Sequence, residues 1–212
     1  MHSPLYEFSK LSIQTITHQY FLTPKSQFIG LKNPTFGLML QYIANEHHYS
    51  QVIEKSLKVK RSLWIGTADI KDLYIKSGIR GTKPFLGALS DLIARNIEIR
   101  LLFAKEPGPN FKNDFDKYPL LIKHLETAVC PRVHFKFFIF DQREAYVGSA
   151  NLTGAGLGMK SPNNRNFEAG ILTDQPEIVQ NAIHQFDSVW MGKHCTHCGR
   201  KAYCPMPIDT LF

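Results

Sequence analysis

A histidine and a lysine interrupt the otherwise apolar segment 133–140 of this 212-residue chain. His134 and Lys136 stand two residues apart, so on a strand both side chains point to the same face. Lysine is seldom buried without a partner, and a neighbouring ammonium disfavours the cationic form of histidine. An anion between the two side chains would stabilise both, so the pair predicts an anion site.

A second pair of polar residues follows at the same spacing. Ser149 and Asn151 come just after Gly148 and bring a hydroxyl and an amide to one side of the neighbouring segment. Together with His134 and Lys136 they supply four donors, a set that suits a tetrahedral phosphate. The competing interpretation is an edge strand whose polar residues simply face water.

The complete spacing resembles a known signature. The chain contains the pattern His134-x-Lys136-x4-Asp141-x6-Gly148-Ser149-x-Asn151. This pattern resembles, without a gap, the His-Lys-Asp motif of the phospholipase D superfamily. The resemblance implies an enzyme that cleaves phosphodiester bonds or transfers phosphatidyl groups without a catalytic cofactor. It also implies a layered α/β/α domain around a mixed central sheet.

The same resemblance implies a role for individual residues. His134 attacks phosphorus and forms a covalent phosphohistidine, while a second histidine protonates the leaving oxygen. Lys136 and Asn151 hold the non-bridging oxygens, and Ser149 assists them. The family often has a later acidic residue that hydrogen-bonds the motif histidine, and Glu168 resembles it. An ordinary surface glutamate at the start of a strand is the alternative for Glu168.

Asp141 belongs to the motif but differs from its other members in position. It lies seven residues after His134, so it has the opposite strand parity and falls at the turn 141–144. A direct phosphate contact therefore fits the pattern less well than a structural or indirect role. Asp141 stays among the predicted catalytic residues in that indirect role.

The chain has one copy of a motif that the mechanism requires twice. None of the other eight histidines is followed by a lysine two residues later. By resemblance, single-motif members include small bacterial nucleases and the catalytic domains of some restriction endonucleases, and they pair as homodimers. A twofold interface brings the same patch of each subunit together, so one motif can serve both roles. The sequence therefore predicts a homodimer.

The charge balance favours a polyanionic substrate. The formal net charge is +7 and the isoelectric point is about 9.2, values that favour nucleic acid or an anionic lipid surface as partner. The first interpretation is a metal-independent endonuclease acting on DNA more readily than on RNA. The alternatives are a lipid phosphodiesterase or transferase similar to phospholipase D or cardiolipin synthase, and a non-catalytic nucleic-acid-binding protein.

The chain lacks the sequence features of a membrane or secreted protein. No apolar run approaches the roughly 18 residues that span a bilayer, and the N-terminus lacks the basic-then-apolar order of a secretory signal. We therefore expect a cytoplasmic protein without membrane insertion.

Three of the four cysteines lie close together near the C-terminus. Cys195-x2-Cys198-Gly199 has the form of a zinc knuckle, and Cys204 supplies a third thiolate. Cys130 is the expected fourth ligand, with His194 or His197 as alternatives. A structural zinc ion is the favoured interpretation, against an iron–sulfur cluster or thiols that are free or oxidised. None of these would take part in phosphodiester chemistry.

Hydrophobic periodicity divides the chain into three parts. Residues 1–48 form an N-terminal extension of unclear role, residues 49–192 a catalytic domain, and residues 193–212 a Cys-rich tail. Helices are predicted at 49–60, from 84 onward, at 119–127 and after Asp174, and strands at 62–66, 97–104, 132–140, 145–149 and 167–172. Residues 105–113 are predicted as a loop. This alternation favours a layered α/β fold.

Overall fold

A seven-stranded mixed sheet forms the centre of the computed structural model, which describes residues 38–206 except 72, 79 and 80. Its strands are β1 (Leu40–Ala44), β2 (Ser62–Thr67), β5 (Glu98–Phe103), β6 (Glu126–Val129), β7 (Lys136–Phe140), β8 (Glu144–Gly148) and β9 (Ala169–Thr173). They are arranged in the order β1-β9-β8-β7-β2-β5-β6. A separate hairpin joins β3 (Tyr74–Ser77) to β4 (Gly81–Pro84).

The sheet mixes two pairing modes. β2, β5 and β6 are parallel neighbours, whereas β7 lies antiparallel to both β2 and β8. β7 is therefore a central strand and is buried along its whole length. Burial on both faces explains why this segment reads as an almost continuous apolar run.

Helices cover both faces of the sheet. They are a π-helical turn (Tyr49–Ile53) that continues into α1 (Glu54–Ser56), then α2 (Phe85–Ile93), α3 (Pro109–Phe115), α4 (Pro119–His124) and α5 (Pro176–Trp190). The π-helical turn, α2, α3 and α4 pack on the larger core, and α5 packs on the opposite face of the sheet. The result is the predicted α/β/α fold class with a mixed central sheet.

Alternate residues of each central strand serve opposite cores. In β2, Leu63 and Ile65 face the larger core, whereas Trp64 faces α5. The Trp64 ring stacks on Phe186 of α5 at a centroid distance of 5.3 Å. This stacking aligns α5 with the sheet, because Val179 and Phe186 lie on the same apolar stripe of the helix.

Several elements differ from the sequence prediction. Residues 105–113 contain the start of α3, which a proline at its first turn allows and which buries Phe111. The helix predicted over 119–127 ends at His124, and the next residues form β6 because they pair with β5. The strand predicted over 132–140 begins only at Lys136. Such pairing depends on residues that are distant in sequence.

The N-terminal part contributes to the sheet. β1 adds an edge strand that pairs with β9, and Asn45 directly after it contacts Glu168 through two hydrogen bonds. Residues 1–37 lie outside the described residues, and the boundaries at 48 and 192 stay predictions.

None of the helices in the described part of the chain is long and apolar enough to cross a membrane.

Asp141 closes the turn between β7 and β8 and ties it to the start of β2. Asp141 and Gln142 both have positive φ, at 53° and 55°, as a type I′ hairpin turn requires. The Asp141 carboxylate accepts hydrogen bonds from the backbone N–H groups of Lys60, Arg61 and Ser62, at 2.6 to 3.1 Å. The side chain therefore has a structural role, at the opposite end of β7 from His134.

These contacts set the ionisation of Asp141. Partial burial raises the pKa of the carboxyl group, but the backbone N–H groups of Arg61, Ser62 and Lys60 together outweigh it and lower the pKa below its ordinary value of 3.8. The carboxylate therefore stabilises the folded protein above that value, and this contribution is lost as the pH falls through the lowered pKa.

Replacing this carboxylate should weaken the fold in a pH-dependent way. We expect Asp141→Ala to lower the free energy of unfolding at pH 7 by about 1–2 kcal/mol, because three backbone donors lose their acceptor. Urea unfolding followed by circular dichroism measures the difference, which should shrink below pH ~4. The exposed Asp116→Ala is the control, with a change below about 0.5 kcal/mol. Equal effects of the two variants would contradict the assignment.

Candidate active site

His134 and Lys136 lie where β7 begins, and their side chains touch. The Lys136 ammonium donates a hydrogen bond to the backbone oxygen of His134 at 2.8 Å, and it lies 3.4 Å from Nδ1 of the same ring. His134 is exposed, whereas only 7% of Lys136 is accessible. The contact at Nδ1 leaves Nε2 as the nitrogen that faces away from the lysine.

Phe135 fixes the orientation of both neighbours. Its ring stacks on Phe137 at a centroid distance of 4.4 Å and lies directly over Gly66 of β2. A Cβ atom at Gly66 would stand 2.3 Å from the Phe135 ring, so only glycine allows this approach. Because Phe135 points toward α5, His134 and Lys136 point to the other side.

The Lys136 ammonium has no carboxylate partner. Within the residues that the structure describes, no aspartate or glutamate forms an ion pair with it. A nearly buried cation without a counter-ion is costly, because desolvation penalises the charge and its two contacts with His134, both to neutral groups, offset this only in part. This environment attracts a bound anion.

Asn151 is oriented by the end of β2. Its side-chain oxygen accepts a hydrogen bond from the backbone N–H of Asp69 at 3.1 Å and lies 3.4 Å from the Thr67 hydroxyl. Thr67 also accepts the backbone N–H of Leu152 at 3.0 Å. Because the amide oxygen is engaged in this way, the amide nitrogen is left to donate elsewhere.

Ser149 and Glu168 form a second polar pair. The Ser149 hydroxyl donates to one carboxylate oxygen of Glu168 and accepts the backbone N–H of Ala169 at 3.1 Å. The other carboxylate oxygen accepts the side chain of Asn166 at 3.0 Å. Among the described residues Glu168 makes no hydrogen bond to His134, so its predicted contact with the histidine stays a prediction.

Strand pairing brings these groups to one end of the sheet. Lys136 of β7 lies opposite Gly148 of β8, and Gly148 lies opposite Gly170 of β9. Ser149 and Glu168 therefore flank the end of β7 that carries Lys136. The structure brings five of the predicted site residues to this end, and it places Asp141 apart from them.

The sequence analysis missed the residues that support the site. Thr67 and Asp69 orient Asn151, and Asn166 binds Glu168. The one available signal was that Thr67 ends the apolar strand β2. Its contact with Asn151 spans 84 positions, so only the pairing of β2 with β7 reveals it.

The four cysteines lie together away from these residues. All four are free and line one cavity, together with His194. The tail is held to the loop before β7, because Arg200 donates to the backbone oxygen of Pro131 at 2.6 Å. In the described part of the chain, no three histidine, cysteine, aspartate or glutamate side chains stand close enough to hold a metal ion as they are.

The surroundings of two of these thiols shift their pKa values in opposite directions. Burial raises the pKa of Cys130, although the backbone N–H of Arg132 opposes the rise. At Cys198 the hydrogen bond from the backbone N–H of Arg200 lowers the pKa, and the nearby Arg132 guanidinium adds to this effect. Each N–H group belongs to the residue two positions after its cysteine, and such bonds favour the thiolate.

Two solved structures share this fold. NucT from Helicobacter pylori has a TM-score of 0.54 at 14% identity, over 72% of this chain and 95% of that chain. Nuc from Salmonella typhimurium, described as a phospholipase D family member, has a TM-score of 0.53 at 15% identity, over 73% of this chain and 95% of that chain. No curated protein matches the chain.

The sequence itself matches a defined family. Residues 53–190 match the family described as "Cardiolipin synthase, PLD-like domain". This range contains most of the chain, the whole motif from His134 to Asn151, and Glu168. The chain therefore belongs to the phospholipase D superfamily, whose PLD-like domain it contains.

Proposed function

We propose that this protein is a metal-independent nuclease that cleaves DNA, or RNA, through a phosphohistidine at a homodimer interface. The observation that carries the proposal is the nearly buried Lys136 ammonium, which touches His134 and has no carboxylate partner among the described residues. An anionic phosphate at this position would supply the missing counter-charge.

The geometry supports a division of labour among the donors. Lys136 and the free amide nitrogen of Asn151 would hold the non-bridging oxygens of the phosphate, where negative charge builds in the transition state. The Ser149 hydroxyl donates to Glu168 in this structure, so it would have to turn to reach the phosphate. Glu168 would then stabilise a cationic histidine nearby.

The chemistry has two steps. Nε2 of His134 attacks phosphorus and the bond to the leaving oxygen breaks, while a protonated second histidine donates its proton to that oxygen. Water then attacks phosphorus, the bond between phosphorus and Nε2 breaks and frees His134, and the second histidine takes up the proton from this water. Both steps need charge stabilisation, which Lys136 supplies without a metal ion.

The second histidine would come from another copy of the chain. The sequence has no other His-x-Lys. In a twofold dimer the two His134 side chains would face each other across the interface, each next to its own Lys136. The dimer would carry twice +7, a net charge of +14.

Exposed lysines near the site support a polynucleotide as the substrate. Lys71 and Lys105 are each about two-thirds exposed and pair with Asp69, whose backbone N–H holds Asn151. These three residues and the acidic Glu106 line one open groove beside the site, and the net charge of +7 on the whole chain adds a longer-range attraction for a polyanion. Lysines along a groove suit a polynucleotide backbone, whose phosphates repeat along its length. A lipid phosphodiester, suggested by the family description, is the second candidate.

Removing the nucleophile should abolish cleavage. We expect His134→Ala to reduce the cleavage of single- and double-stranded DNA in EDTA by about a thousandfold or more, because the covalent step is lost. His184→Ala, an exposed histidine on α5, is the matched control and should stay within about twofold. Gel-based cleavage of labelled DNA and RNA, with the same amounts of each variant, measures both.

The arms of this experiment distinguish the candidate functions. Cleavage by the native chain that survives EDTA and disappears in His134→Ala supports the histidine mechanism. Binding of DNA without cleavage, unchanged in His134→Ala, would indicate a non-catalytic binder. Turnover of a short-chain phosphatidyl substrate without cleavage of nucleic acid would instead indicate a lipid enzyme.

Subunit mixing tests the composite site. When native chains are mixed and re-equilibrated with a ninefold excess of His134→Ala chains, activity per native chain should fall about tenfold, because nearly all native chains then pair with an inactive partner. With a ninefold excess of His184→Ala chains, which are themselves active, the activity per total chain should stay within about twofold of the native value. Activity per native chain that is independent of the His134→Ala excess would contradict a shared site.

We also propose that the four cysteines hold one structural zinc ion. Four thiolates in a tetrahedral arrangement are a common structural zinc site. Here the tail already packs on the Cys130 loop through Arg200 and through Arg132, which contacts the Cys198 sulfur at 3.9 Å. Because all four cysteines line one cavity, a rearrangement of the tail within that cavity would bring the sulfurs together around the ion. The ion would stabilise the loop that leads into His134.

Metal analysis tests this proposal directly. We expect about one zinc ion per chain after reducing purification, and its loss in Cys198→Ser. His197→Ala is the matched control, because His197 lies in the same short segment but does not line the cavity, and it should keep the metal. Elemental analysis and the visible spectrum of the cobalt-substituted protein measure the binding. Stoichiometric iron with sulfide, or a metal-free chain after growth with zinc, would contradict it.

A further inference from the structure

Two buried polar side chains lie next to the site without belonging to the motif. His48 is completely buried and precedes the segment matched by the family, and Tyr146 is completely buried in β8. Nδ1 of His48 lies 2.8 Å from the backbone oxygen of Asn45, and Nε2 lies 2.8 Å from the Tyr146 hydroxyl. Buried polar pairs of this kind impose a single arrangement on the groups around them.

The partners determine which atoms carry the protons. A backbone oxygen only accepts, so Nδ1 of His48 carries a hydrogen and donates it to Asn45. In the neutral ring Nε2 is then an acceptor, and the Tyr146 hydroxyl donates to it. Burial lowers the pKa of His48 and raises the pKa of Tyr146, so both groups remain neutral near pH 7.

The same hydroxyl reaches the motif. The hydroxyl lies against the backbone at Gly148, and the nearby backbone N–H of Ala150 partly opposes the effect of burial on the pKa of Tyr146. Ala150 is fully buried and stands between Ser149 and Asn151. A series of polar contacts therefore leads from Asn45 through His48 and Tyr146 to the backbone segment that carries the Ser149 and Asn151 side chains.

Two glycines confine the Tyr146 ring. A Cβ atom at Gly148 would stand 2.1 Å from the phenol oxygen, and one at Gly170 would stand 2.3 Å from a ring carbon. The ring therefore lies across the backbone of β8 and β9, where no side chain can displace it. This explains physically why glycine precedes Ser149 in this chain.

A second connection leads from the same segment to Glu168. The Asn45 side-chain oxygen accepts the backbone N–H of Glu168 at 3.2 Å, and the Asn45 N–H donates to the Glu168 backbone oxygen at 2.9 Å. Asn45 has a φ of 49°, a left-handed conformation that asparagine tolerates better than most residues. The residues 45–48 thus hold the backbones on both sides of the Ser149–Glu168 pair.

We propose that His48 and Tyr146 are positioning residues that fix the backbone at Ala150 and thereby aim Ser149 and Asn151 at the scissile phosphate. The inference rests on the proposed phosphodiesterase function. Neither residue touches the phosphate. Their contribution is to hold two donors in the geometry that the transition state requires, so their loss affects turnover more than binding.

Tyr146→Phe tests the hydroxyl with little change of shape. We expect kcat to fall about tenfold or more while KM stays within about threefold, because the ring remains but Ala150 and His48 lose their partner. Tyr49→Phe is the matched control, since it removes another buried hydroxyl that accepts a backbone N–H, that of Lys76 at 3.0 Å. It should leave kcat within about twofold.

A conservative replacement separates positioning from general damage. His48→Gln keeps an acceptor near the place of Nε2, and it should retain several times more kcat than His48→Ala. Equal kcat values for the two variants, with equal melting temperatures, would contradict the positioning role.

Two readouts do not depend on activity. Long-range ¹H–¹⁵N spectra of the full chain should show His48 neutral and protonated at Nδ1 near pH 7. Amide exchange at Ala150 should accelerate about a hundredfold in Tyr146→Phe, with little change at the amides of β2.

These readouts keep the two proposals distinguishable. A native chain that cleaves no phosphodiester would refute the proposed function, while the His48 tautomer and the Ala150 exchange rate would still decide whether the pair holds the backbone. The positioning role is overturned by kcat in Tyr146→Phe within twofold of the native value, by Ala150 exchange that does not change, or by an Nε2-protonated His48.

Discussion

The Lys136 ammonium is nearly buried at the start of a central strand, beside His134 and without a carboxylate partner in the described residues. An unpaired charge in this position costs several kcal/mol of stability, which other interactions must offset. The compensation comes from the strand itself, because β7 pairs on both sides and Phe135 packs over Gly66. The seven-stranded sheet thus holds one poorly solvated cation at a position where a phosphate would stabilise it.

The rest of the site follows from how neighbouring segments end beside this cation. β2 ends in Thr67, which helps to hold Asn151, and β8 ends in Gly148, next to Ser149. At the opposite end, Asp141 ties the β7–β8 turn to the residues before β2. The motif thus places its polar donors at one end of the hairpin, where we propose that they bind phosphate, and a structural carboxylate at the other.

Two parts of the chain outside the motif support it from different sides. Asn45 binds the backbone of Glu168, and His48 binds Asn45 and the Tyr146 hydroxyl, which lies beside the backbone before Ser149. The C-terminal tail packs on the loop that leads to His134. Arg200 donates a hydrogen bond to this loop, and the cysteines of the tail and of the loop line one cavity. A compact domain with one motif therefore relies on its flanking segments to orient the few groups that carry the chemistry.

The sequence alone determined which residue types are available and the local periods that they follow. The two-residue spacing of His134 and Lys136 predicts a shared face, and the strands and helices around them predict the layered α/β class, because both patterns are local. The tertiary structure alone decided the burial of Lys136, the orientation of Asn151 by Asp69, and the contact of His48 with Tyr146. These contacts join segments up to 98 positions apart. They depend on the order of strands in the sheet, which no local period specifies.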